Sequence, residues 1–72
     1  MINKGDIKTI VLGNDEITLE LQDGRKASEK FINYERLKNA SQKQRTNYII
    51  SYFGIHWPEI DEDLSFDGFF NN

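Results

Sequence analysis

Between Gly54 and Ser65 the chain reads Gly-Ile-His-Trp-Pro-Glu-Ile-Asp-Glu-Asp-Leu-Ser, and most of its chemically capable side chains gather there. His56, Trp57 and Pro58 are the only residues of their types and stand consecutively. Glu59, Asp61, Glu62 and Asp63 follow at once. An imidazole titrates near neutral pH and is the usual general base. No Ser or Cys at a nucleophile-elbow spacing accompanies it, so no catalytic residue is assigned. The simpler expectation is a ring packed beside Trp57, with its nitrogens bonded to backbone or to a carboxylate.

The four acids, with His56, could offer ligands to a hard divalent cation. Their spacing departs from the EF-hand loop, which alternates ligands and needs Gly at its sixth position. No metal and no cofactor is expected. Instead, Asp61 and Asp63 are expected to bond to nearby backbone amides, or to Arg36 and Arg45, whose planar guanidinium suits a carboxylate. The competing expectation is a partner-binding motif of His56, Trp57, Pro58, Asp61, Glu62 and Asp63, with the indole as an apolar anchor ringed by charge. Arg36, Lys38, Lys43 and Arg45 form the one basic cluster, flanked by Tyr34 and Tyr48. It could meet phosphates, but four charges in an acidic protein bind weakly and lose affinity with salt.

The chain has 72 residues and a net charge of −3. That length allows one domain, residues 1–72, which buries only about 60% of its unfolded surface and gains from a partner or from homo-oligomerisation. Nine aromatic residues compensate in part. All Lys and Arg lie at or before Arg45, whereas five acids and no Lys or Arg follow it. Such asymmetry suits docking on a basic partner protein and argues against a dedicated nucleic-acid binder. Cysteine is absent, no apolar signal core opens the chain and no run reaches transmembrane length. A cytoplasmic protein without membrane contact is expected.

The elements that must position these groups are short. Ile7 to Leu12 is apolar and β-branched, and Gly13-Asn14-Asp15 is a turn cluster. Ile17, Leu19 and Leu21 alternate with Thr18, Glu20 and Gln22, the pattern of a half-buried strand. Asp23-Gly24 is the strongest hairpin signal. A two-residue turn sets Lys26 and Ser28 opposite Leu21 and Leu19, whereas a type I turn with Gly24 as an αL bulge sets Arg25 and Ala27 there. The bulged register is preferred because it places Ala27 on the apolar face and leads Phe31 to the core. Past Phe31, Asn33 is expected to cap a short helix through Leu37. Ser41 and Gln44 match a capping box. The helix they open is expected to carry Tyr48, Ile49 and Tyr52, with Gly54 as its stop. Ile55 to Trp57 reads as extended and ended by Pro58. Leu64 to Phe70 reads as one helical turn, with Phe66, Phe69 and Phe70 as core plugs rather than an exposed patch. The fold class is α+β: a small three-stranded antiparallel meander, two helices and a short fourth extended segment.

With these motifs in place, the chain resembles the bacterial domain-of-unknown-function family twenty-four forty-two. The resemblance rests on Leu21-Gln22-Asp23-Gly24-Arg25, Tyr34-Glu35-Arg36-Leu37, Ala40-Ser41-Gln42-Lys43-Gln44-Arg45 and the Gly54 to Ser65 block, and covers nearly the whole chain. Two departures stand at the join of sheet and helix: Glu35 replaces a usual Pro, and Glu29-Lys30 replaces an apolar residue and Pro. The resemblance implies a small α+β domain, found alone or fused to a helix-turn-helix, whose stand-alone members resemble half of a toxin–antitoxin-like pair. The expected role is a non-enzymatic protein-binding module, an antitoxin-like or inhibitory regulator docking on a toxin-like or effector protein. A DNA-associated transcriptional regulator component is the second expectation, and a small metal-dependent enzyme the third.

Overall fold

Alternation builds the first sheet. The computed structural model describes residues 1–71, and in it β2 (Glu16–Leu21) buries Ile17, Leu19 and Leu21 and turns Thr18 and Glu20 away from the core. It is the central strand between β1 (Ile7–Leu12) and β3 (Lys26–Lys30), both antiparallel to it. Ile7 and Ile10 are an odd number of residues apart, yet both pack against the core. A register shift between Ile7 and Thr9 reconciles them, since one extra residue returns the pleat to the same face. The hairpin takes the bulged register: Ala27 lies opposite Leu19, and Gly24 holds φ 94°. The Leu21 amide donates to the Arg25 carbonyl at 2.8 Å.

After Phe31 the chain departs from expectation at Asn33. That residue ends a 3-10 turn (Phe31–Asn33), and α1 (Glu35–Lys38) begins after Tyr34 with no side-chain cap. Glu35 takes the first helical position, where Pro is tolerated because the amide needs no helical partner. An acid there also suits the helix dipole, which explains how the substitution is accommodated. The capping box at Ser41 and Gln44 is present and opens α2 (Gln42–Thr46).

That helix is shorter than expected. It stops at Thr46, and Ile49–Ile50 form a strand, β4, rather than a helical face. Tyr48, Ile49 and Tyr52 carry helical spacing, but pairing with β5 (Gly54–Trp57) supplies backbone bonds and suits the β-branched pair. Gly54 therefore does not stop a helix. It is buried in β5, where an added Cβ would meet the Leu64 carbonyl oxygen at 2.5 Å. β6 (Glu62–Ser65) completes a second antiparallel sheet in the order β4-β5-β6, where only one extended segment was expected. The short α3 (Phe66–Phe70) follows, capped by Ser65, and buries Phe66 and Phe69 as expected, with Phe70 half-buried. One apolar core joins Ile17, Leu19 and Phe31 to Ile55, Trp57, Leu64, Phe66 and Phe69, so both sheets share it. The fold is α+β.

Candidate functional site

The β5–β6 hairpin sorts the motif residues by face. Directly opposed residues in an antiparallel pair project to the same side. Ile50, Ile55 and Leu64 form one row, and the last two are buried in the core. Ile49, His56 and Asp63 form the adjacent row on the other side. His56 Nδ1 lies 2.8 Å from Asp63 Oδ1, which orients the ring by the carboxylate contact expected of it, but the ring stands on the opposite face of β5 from Trp57 rather than packed beside it. The same pairing serves catalytic dyads, but among the described residues no side chain bonds to Nε2. Nor do three His, Asp or Glu side chains converge into a cation cage there.

Trp57 is 0% exposed, so it belongs to the core and cannot be a surface anchor. Its indole N–H donates to the Arg45 carbonyl at 3.0 Å, satisfying a carbonyl in the last turn of α2. Pro58 opens the turn Pro58 to Asp61, in which Asp61 takes φ 52°, a left-handed conformation that Asp tolerates better than most residues. Arg36 donates to the Asp61 carbonyl and stands 3.8 Å from its carboxylate. Glu59 accepts from the Asn47 amide, and Glu62 Oε1 accepts from the Asp63 amide at 2.9 Å. The acidic run is thus tied into the chain at each position, with Arg36 as one of the two basic partners anticipated.

Arg45 is not the other. Its Nε donates to Leu37 O at 3.0 Å, Nη1 to Asn14 O at 3.2 Å and Nη2 to Lys38 O at 3.2 Å. The guanidinium lies 4.6 Å from the Phe31 ring centroid, at a distance typical of a cation–π contact. The basic cluster is therefore divided: Arg36 serves the hairpin turn, Arg45 braces the helices, and Lys38 and Lys43 are exposed.

Sequence reasoning missed the most exposed apolar part of the second sheet. Ile49, Tyr52 and Phe53 are 56%, 62% and 47% exposed, on β4 and the turn that joins it to β5. The two rings meet edge to face at 4.7 Å. The turn backbone is held from both flanks, as Lys4 N donates to Tyr52 O at 2.6 Å and Phe66 N to Phe53 O at 2.9 Å. Two adjacent aromatics just before Gly54, Tyr52 and Phe53, were the available signal, and the apparent helical spacing of Tyr48, Ile49 and Tyr52 concealed it.

No helix among the described residues is long and apolar enough to cross a membrane. No curated protein and no solved structure matches the chain. A family model described as "Protein of unknown function (DUF2442)" matches residues 7–72, which takes in both sheets, α1 to α3 and the whole motif from Gly54 to Ser65. The chain belongs to that family.

Proposed function

We propose that the protein is a non-enzymatic, cytoplasmic protein-binding module of the antitoxin-like, inhibitory kind, and that it docks through the turn between β4 and β5. The observation that carries this reading is the presentation of Tyr52 and Phe53: their carbonyls are pinned by Lys4 and Phe66 while their rings stand in solvent. Aromatic surface on a braced turn loses little freedom when a partner covers it, which favours tight association. The row Ile49, His56 and Asp63 joins this apolar edge to the acidic hairpin, and that charge suits a basic surface on the partner.

Affinity capture from the native host tests the proposal, with wild-type protein and a Tyr52→Ala/Phe53→Ala variant as baits. The expected result is a stoichiometric protein partner that the variant loses at an unchanged melting temperature. An Asp61→Lys/Glu62→Lys variant should associate more slowly and with less salt dependence. A partner held equally by all three baits would reject the turn as the docking surface. The DNA-associated reading has a narrower base, because Arg36 is committed to the Asp61 turn and the basic cluster is divided.

A further inference from the structure

Lys30 ends β3, Phe31 and Ile32 lie in the 3-10 turn beyond it, Lys38 closes α1 and Arg45 belongs to α2. With Asp15 these residues line a cavity of about 310 Å³. That volume falls at the lower end of small-molecule sites, roughly 300–1,000 Å³.

Three features of the cavity specify a ligand. The first is charge. Lys30, Lys38 and Arg45 line the cavity with one carboxylate, Asp15, and none of the three cations forms a salt bridge among the described residues. The second is rigidity. Arg45 is held by the carbonyls of Leu37, Asn14 and Lys38, by the Gln42 amide oxygen at 3.3 Å, and by the Phe31 ring. Every one of those acceptors is neutral, so the guanidinium keeps its full charge, and of its five N–H groups one on Nη2 is left for a ligand. The third is apolar surface: Ile32 is 69% exposed on the same cavity.

The geometry points to a binding site for a small organic phosphomonoester, its phosphate between Lys30, Lys38 and Arg45 and its apolar body against Ile32. A phosphomonoester carries about −1.5 to −2 at pH 7, opposite in sign to the three cations among the lining residues. A carboxylate carries less charge and offers fewer acceptor oxygens to the same cations. A nucleic-acid backbone spreads single charges over many phosphates and needs a longer track of cations, whereas Arg36 and Lys43 do not line the cavity. This site does not depend on the docking turn.

Titrating phenyl phosphate, inorganic phosphate and phenol into isotope-labelled protein tests the proposal by amide NMR shifts. The Trp57 indole N–H is a built-in reporter, because it donates to the Arg45 carbonyl. Phenyl phosphate should shift that signal and the amides of Phe31, Ile32 and Lys38. Inorganic phosphate should bind the same residues more weakly, and phenol should leave them unmoved. Lys30→Gln and Lys38→Gln should each weaken phenyl phosphate by about tenfold, the loss of one charge-assisted contact. Ile32→Asn should weaken phenyl phosphate and leave inorganic phosphate unchanged. Spectral dispersion confirms that each variant is folded. No shift at millimolar phenyl phosphate, or shifts centred on Arg36 and Lys43, would overturn the assignment. So would a single-stranded oligonucleotide that binds more tightly than phenyl phosphate without regard to Ile32.

Discussion

Glu29 is a carboxylate on the core side of β3, opposite Ile17, and Tyr34 satisfies it there by donating its hydroxyl. The hydrogen bond to Glu29, then burial, then the charges of Glu29 and Glu62 push the Tyr34 phenol from its ordinary 10.0 up to about 12. Below pH 10 the phenol is neutral in both folded and unfolded chains, and the bond contributes fully. Between the two values the unfolded chain releases a proton that the folded chain retains, so stability falls as pH rises. Tyr34→Phe should therefore cost roughly 1 kcal/mol near neutral pH. The gap to wild type should hold below pH 10 and close towards pH 12. Denaturant melts across that range check it, and a gap still fully open at the upper end would discard the pairing. This residue pair also accounts for the unusual Glu29: where an apolar residue was to be expected, the acid is tolerated because an aromatic hydroxyl five positions on reaches back to it.

At the scale of elements the β5–β6 hairpin depends on Gly54. The strands approach so closely at that point that a Cβ would press on the Leu64 carbonyl and the Ser65 Cα. Backbone cannot swing aside as a flexible side chain can. Gly54→Ala should cost about 1–3 kcal/mol, the usual penalty for overpacking. Thermal denaturation measures it, and a variant that melts with wild type would show that the strands can part at no cost. What could be read from sequence divides along the same line. The Ser41–Gln44 capping box, the Gly24 bulge and the helical turn read within Leu64 to Phe70 rest on contacts within a few residues, and local residue types suffice to specify them. Gly54 and the Ile49–Ile50 strand depend on partners farther along the chain, and there local reasoning chose a helix.

On the scale of the whole molecule, two three-stranded sheets contribute to one shared core. Leu19 is fully buried at the centre of the first sheet. Leu19→Asp would place an unpaired charge among apolar neighbours and should abolish cooperative folding. A soluble variant with a sharp melting transition would contradict the placement of that strand. By itself the sequence determined the meander, its register and the α+β class, because alternation and a turn residue act over a few positions. Family membership was equally legible, since it rests on residues in order. The tertiary structure alone decided that Trp57 is core, that Arg45 braces helices instead of pairing with an acid, and that Tyr52 and Phe53 face solvent. Those outcomes turn on which distant backbone lies alongside: pairing with β5 drew Ile49 and Ile50 out of a helix, and the sheet it completed set which side chains faced the core.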